Sequence, residues 1–506
     1  VSGLALGFGQ PARRDVQRMF EKIKHRGPDL AGMWGRDQAL MAQNYLQADL
    51  VSPGHPLAIP VASEREGKVR ICYDGQLGNR EALRRQLGLA DGPFPEERLL
   101  LHLYHQSGCD MFRYLSDAIF AFVISDGTQL LAARDLLGIK TLFYGFKNGT
   151  LYLASELKSI IEVTEDVYEF PPGHYMDAGA RLIRFAELPH AAPKTLQKDT
   201  GTIATELRTL ILNSLIARVR FSESTGALLS GGLDSSVVCS LASRQYKKHL
   251  GHAARLPTFG IGVGESDDIH YARLVAGHIG SDHHELIVTL EDLLQALPEV
   301  IYYLESFDPS LVRSAVSNFL ICRYAKQQGI DVLLSGEGGD EVFCGYSYLK
   351  QCAAEDLHAR QIECLGFLHN NASLRLDRMN QCHSRRVITP FISGELLDYA
   401  LCLPAEYKLK AAGSVKIEKW ILRKAFEGEL PESILWRPKQ EFSQGTASAD
   451  VLPKYFEAVI SDDDFTKAQE EYPFVRSKEE LHYFRVFADH FGTGNAVGTV
   501  GQWISL

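Results

Sequence analysis

Two glycine-rich, acidic stretches carry residue types that could do chemistry: Ser230-Gly231-Gly232-Leu233-Asp234-Ser235-Ser236 and Ser335-Gly336-Glu337-Gly338-Gly339-Asp340-Glu341. Each follows a short apolar run, "GALL" at 226–229 and "DVLL" at 331–334. Each is therefore expected at the carboxyl end of a parallel strand, where open α/β sheets bind ligands. The glycines let backbone approach an anion, and a helix start presents free N–H groups. Hydroxyls of Ser230, Ser235 and Ser236 can add donors. Asp234 would repel bare phosphate, so its presence makes sense if it holds Mg²⁺ against phosphate oxygens. Glu337, Asp340 and Glu341 are expected to converge with Asp234 on that metal. Asp268, in "GESDD" after the apolar run 256–262, is a further candidate for the Mg–pyrophosphate site. Read alone it is a helix cap. The lysine-bearing GxxxxGK[ST] phosphate loop is absent.

The elements that must position these residues follow from pattern. Residues 1–186 hold short β-like runs such as "KVRICYDG" (68–75) and "AIFAFVISDG" (118–127). Turn residues separate them, which predicts an α+β domain of antiparallel sheets. Residues 187–201 lose periodicity and read as a linker. From 202 to 506, strands alternate with helices at 203–218, from about 235, at 269–279 and at 311–328. This predicts a parallel sheet, with a mostly helical remainder from about 350.

The chain of 506 residues has a net charge of −10 and a pI of about 6.0. That argues against nucleic acid or an anionic membrane as partner and for a small-molecule substrate. Nine scattered cysteines without a CxxC pair fit reduced thiols and a cytoplasmic protein. No signal-peptide pattern and no apolar run of about 18 residues is present, so no membrane span is expected.

"SGGLDSS" resembles the pyrophosphate loop of the N-type ATP pyrophosphatases. Together with "HRGPD" (25–29), "ARDLLGIKTLFYG" (133–145), "EFPPGHY" (169–175), "SGEGGDEVFCGY" (335–346) and "WRPKQEFSQG" (436–445), it is similar to the asparagine synthetase family over nearly the whole chain. The resemblance implies an Ntn-hydrolase-like sandwich followed by an ATP-pyrophosphatase domain that uses ATP and Mg²⁺ to adenylate a carboxylate. It implies that Leu228 and Ile261 line an adenine pocket and that Ser335 and Gly336 touch the nucleotide. Asp234 and Asp340 would hold Mg²⁺, and Lys439 would face the α-phosphate. Glu337 would accept a proton from the attacking amine, and Arg313 would bind a carboxylate. Arg386, standing where the family has an acidic residue, is a second substrate-binding candidate. A homodimer is the candidate assembly.

The same resemblance places Val1 at the family's cysteine nucleophile, Tyr45 at its substrate-gripping arginine, Asp74-Gly75-Gln76 at its Asn-Gly-Glu, and Glu96 at its amine-binding aspartate. Glutamine hydrolysis is expected to be lost. The leading expectation is a β-lactam synthetase, of tabtoxin type, in antibiotic or toxin biosynthesis, in which a substrate amine captures the acyl-AMP. The alternatives are an ammonia-dependent asparagine synthetase, a lasso-peptide cyclase-like macrolactam former, and a catalytically silent binding partner. The chain lacks the tyrosine of known β-lactam synthetases, having Glu337 there, and has Leu374 near their partner glutamate.

Overall fold

The computed structural model describes residues 2–46, 59–62, 67–89, 94–264, 266–413, 415–440 and 442–503. The chain forms two compact units. The first is Val1–Leu188 with Gln381–Arg386 and Phe491–Thr499; the second is Pro189–Asn380 with Val387–His490 and Val500–Leu506. The two late segments of the first unit carry no signal in the sequence pattern.

The first unit contains two six-stranded sheets. One places Ser2–Phe8 between Thr150–Ala154 and Ala39–Tyr45; the other places Ala118–Ser125 between Leu130–Arg134 and Arg70–Leu77. The pairings across these strands are antiparallel. Strand alternation divides the side chains between two cores. In Ala118–Ser125, Ala121 and Val123 join Leu4 and Leu6 of the first sheet in one core. Phe120, Phe122 and Ile124 face the other way, onto Leu99, Leu103 and Phe112. Phe112 stacks on Phe185 with ring centroids 4.1 Å apart. The same period of two in Arg70–Leu77 puts Asp74 and Gln76 on the face of Cys72, which lies between the sheets.

The second unit is built on a five-stranded sheet in the order Asp282–Val288, Pro257–Val263, Thr225–Leu228, Val332–Leu334, Arg386–Ile388. The first three neighbouring pairs are parallel. Sequence order reverses between Thr225–Leu228 and Val332–Leu334. The crevice at such a reversal is where doubly wound sheets take ligands. Both glycine-rich stretches leave the sheet at this point. The helix Leu233–Leu250 follows the first. Helix Pro309–Gln327 lies between the two motifs in sequence, with proline in its first turn and the Asp308 carboxylate accepting the Leu311 N–H at 3.1 Å. The remainder beyond 350 is helical apart from the Arg386–Ile388 strand and an antiparallel hairpin, Leu409–Ala412 with Val415–Glu418. Among the described residues no helix is long and apolar enough to cross a membrane.

Candidate active site

The loop after Thr225–Leu228 is folded by its own serines. Ser235 and Ser236 donate to the Gly232 carbonyl at 3.1 and 2.7 Å. The Ser230 hydroxyl accepts the Gly232 N–H at 3.3 Å and lies 3.1 Å from the Ser235 hydroxyl. These hydroxyls therefore shape the loop, and the backbone N–H groups at the start of helix Leu233–Leu250 are of the kind that could meet an anion. The second motif presses directly onto this helix start. A Cβ on Gly336 would lie 2.5 Å from the Ser235 nitrogen, and one on Gly339 would lie 2.6 Å from Cγ of Asp234. No side chain fits at either position.

This approach sets up a row of alternating charges. Lys419 is ion-paired with Asp234 and lies 2.7 Å from Oδ1 of Asp340; Oδ2 of Asp340 accepts from Lys439 Nζ at 2.7 Å. Burial favours the neutral acid at both aspartates. At Asp340 the two flanking ammonium groups outweigh it and hold the carboxyl below the usual range. At Asp234 burial prevails, and the nearby Asp340 charge adds to it, over Lys419 and the weaker pull of Lys439. Burial would lower the Lys439 ammonium, but Asp340 and Asp234 together push it up. Oδ1 of Asp234 is buried and accepts no hydrogen bond. A buried, unpaired carboxylate oxygen beside a second carboxylate fits a divalent cation.

Lys419 has no sequence signal. It follows the hairpin in a left-handed turn (φ +53°) and is 2% exposed. Glu418, next to it, accepts the Lys439 N–H at 3.1 Å, pairs with Lys350 at 2.7 Å and with Arg423 at 2.5 Å. The two lysines are thus tied to one frame.

The expected four-carboxylate cluster does not form. Among the described residues no three His, Cys, Asp or Glu side chains converge as metal ligands. Glu341 turns into the interior, where the Tyr346 hydroxyl donates to it at 2.6 Å. Glu337 pairs with Arg375, whose guanidinium lies 5.4 Å from the Phe442 ring centroid. Arg375 stands one residue after Leu374 on helix Ala372–Gln381 and was not singled out by any motif. Asp268 pairs with Arg437 at 3.0 Å, and Arg437 lies 4.0 Å over the Tyr271 ring. Burial, only partly offset by Arg437, pushes the Asp268 carboxyl up to about 6.

One cleft is lined by Leu228, Ser230, Gly232, Asp234, Ser235, Ile261, Asp268, Ser335, Gly336, Glu337, Asp340, Lys419, Arg375 and Lys439. Gly231 and Ser236 support its loop from behind; Ser236 is fully buried. Arg313 is not part of the lining, although Ser310 and Ser314 of its helix are. Its guanidinium is held by Glu479 at 3.0 and 2.5 Å, and Tyr483 donates to the same carboxylate at 2.8 Å. Arg386, the first residue of the strand Arg386–Ile388 and the last of a segment grouped with the first unit, is not part of the lining either; its charge acts on Glu96.

The residues expected to form the first unit's glutamine pocket are paired with other side chains of that unit. Val1 lies outside the described residues. The Tyr45 hydroxyl donates to Glu97 at 2.7 Å, and the Tyr73 hydroxyl and Leu77 N–H donate to Glu96 at 2.7 and 3.1 Å. Asp74 is buried against Arg26 at 2.8 Å and Lys140 at 3.3 Å. Burial works against its ionised form, and the two cations outweigh it, holding its carboxyl low. Gln76 is buried with its Oε1 unpaired. Arg26, from "HRGPD", also pairs with Glu156 at 2.8 Å.

The asparagine synthase family model matches residues 206–363 and 352–483, and the glutamine amidotransferase domain model matches residues 1–178. The chain is 33% identical to the glutamine-hydrolysing asparagine synthetase of Gallus gallus, covering 97% of this chain and 94% of that protein. It is 32% identical to asparagine synthetase 1 of Saccharomyces cerevisiae, covering 96% and 92%. It is 31% identical to asparagine synthetase B of Escherichia coli, covering 96% and 90%. With both family models matched and relatives of 31–33% identity covering 96–97% of its length, the chain belongs to the asparagine synthetase family of ATP-dependent, AMP-forming ligases.

Proposed function

We propose that the cleft of the second unit adenylates a substrate carboxylate with Mg·ATP and that an amine of the same substrate then captures the acyl-AMP. In the first step a carboxylate oxygen attacks the α-phosphorus and pyrophosphate leaves. Negative charge builds on the phosphate oxygens, and Lys439 and Lys419 are fixed cations placed to stabilise it. Asp234 and Asp340 would hold Mg²⁺, which when bound neutralises phosphate oxygens and orients the leaving pyrophosphate. In the second step the amine attacks the acyl carbon, AMP leaves, and Glu337 accepts the amine proton. Arg375, paired to Glu337, holds that carboxylate in place.

The observation that carries the choice of amine is the first unit's pocket. Its Tyr45 and Tyr73 hydroxyls donate to Glu97 and Glu96, and these pairings, with Tyr45 and Gln76 in place of the family's arginine and glutamate, support a first unit that does not hydrolyse glutamine. A chain that draws no ammonia from glutamine needs another nitrogen, and ring closure to a β-lactam, as in an antibiotic or toxin pathway, supplies one internally. A second reading is ammonia-dependent asparagine synthesis; the retained acid Glu337 and the names of the relatives favour it. Product mass separates them. Intramolecular closure removes one water from the substrate, whereas ammonia capture replaces OH by NH₂. Glutamate released from glutamine in step with AMP would overturn both readings of the nitrogen source.

A further inference from the structure

We infer that Asn318 reads the base edge of the nucleotide, an inference that rests on the ATP reading above. Asn318 lines the cleft from helix Pro309–Gln327 and is 2% exposed. Its Oδ1 is buried and accepts no hydrogen bond. A buried amide oxygen without a donor is costly and rare in a folded protein, so this one points to a partner that arrives with the ligand.

The surroundings say which part of the ligand. Asp234, Asp340, Lys419 and Lys439 form the charged part of the cleft, which suits phosphates and metal. Asn318 is neutral. Ile321, three residues on and so on the same helical face, lines the cleft with it, as do Leu228 at the end of its strand and Phe259 within strand Pro257–Val263. Apolar walls with one amide suit a flat heteroaromatic ring: carbon covers its faces, and the amide meets its edge. A primary amide offers an acceptor and a donor side by side, in either flip. Adenine offers the complementary pair, its 6-amino N–H next to a ring-nitrogen acceptor, and this two-point match is how asparagine reads adenine elsewhere. The base would donate its amino hydrogen to Oδ1 and accept from Nδ2.

The test is equilibrium binding to the intact chain, which needs no knowledge of the carboxylate substrate. Dissociation constants of Mg·ATP and of Mg·purine riboside triphosphate, which lacks only the 6-amino group, are measured by calorimetry. The parent protein is expected to bind ATP about tenfold to a hundredfold more tightly. Asn318→Leu should weaken ATP by a similar factor and bring the two nucleotides to within about twofold, since the discriminating pair is gone. Asn318→Ser, smaller and polar, replaces it if the leucine variant does not fold, with the same loss of discrimination expected. Equal affinity of the parent protein for both nucleotides overturns the inference. So does a variant that keeps the parent's ratio. A parent protein that binds no Mg·ATP at all overturns the nucleotide reading itself and is told apart from failure at Asn318 by that result alone.

Discussion

Replacing Lys439 by methionine separates catalysis from architecture in this cleft. The side chain is 21% exposed, and its Nζ lies 2.7 Å from Asp340 Oδ2. Breaking a fully buried ion pair costs about 3–5 kcal/mol, because one charge is left alone, whereas an exposed pair contributes about 0–1 kcal/mol. Here Asp340 is not left alone: Lys419 remains 2.7 Å from its other oxygen. Methionine also keeps most of the hydrocarbon stem that packs in the cleft wall. The expected stability cost is therefore near the lower figure, ~1 kcal/mol, or a few degrees in melting temperature. The catalytic cost is different in kind. A preorganised cation facing charge that builds in the transition state contributes ~3 kcal/mol, so its loss lowers the rate on the order of a hundredfold or more. The assays are thermal melting and ATP–pyrophosphate exchange on one preparation, with the carboxylate that supports exchange in the parent enzyme. The expected result is a nearly unchanged melting temperature with exchange reduced at least a hundredfold. Exchange within threefold of the parent would refute the assigned role. A large fall in melting temperature alongside the lost activity would refute the argument that Lys419 keeps Asp340 satisfied.

Gly336→Val should drive its side chain into the Ser235 backbone, 2.5 Å from the new Cβ; we expect a loss of about 1–3 kcal/mol in denaturant unfolding together with loss of nucleotide binding. Tyr45→Phe removes the donor to the buried Glu97 carboxylate, so it should cost about 1–3 kcal/mol of stability while AMP formation per folded molecule stays at the parent level. Asp268, whose carboxyl is raised to about 6 by burial against an ordinary value of 3.8, binds its proton more tightly folded than unfolded. Its contribution to stability is thus fully present below pH 3.8 and is lost as pH rises through about 6. Asp268→Asn should flatten that part of the melting-temperature profile, and an unchanged profile would show that Asp268 is not the titrating group.

The placement of the two glycine-rich motifs was legible because their signals are local. Glycine, serine and aspartate spaced across a strand–turn–helix leave few other readings, and both motifs do leave the sheet at its point of reversal. What pattern could not supply was pairing across long separations. Lys419 sits in "KIEKW", where nothing marks a lysine as special; only the hairpin before it and its left-handed backbone turn it toward Asp234 and Asp340. Arg375 lies in an ordinary helical stretch and becomes part of the site only when helix Ala372–Gln381 meets Glu337. Arg313 shows the reverse. Its type suited a carboxylate ligand, and the fold supplies one internally from Glu479, over 160 residues away. Glu341 likewise looked like a metal ligand beside Asp340, but the short helix Gly339–Phe343 points it to Tyr346 in the interior.

The strand order also governs how the molecule emerges during synthesis. Thr225–Leu228 takes Val332–Leu334 as its neighbour, pairing Thr225 with Val332. At about 5–20 residues per second, the earlier strand waits on the order of ten seconds for the later one to leave the ribosome. For that interval one edge of a central strand has no partner, and an open edge is a template for mispairing with other nascent chains. Trp503 also lines the cleft, so the pocket wall stays incomplete until residue 503 is made. A ligand stabilises only what it can bind. On the proposed reading, Mg·ATP would therefore protect the completed cleft and not the half-made sheet.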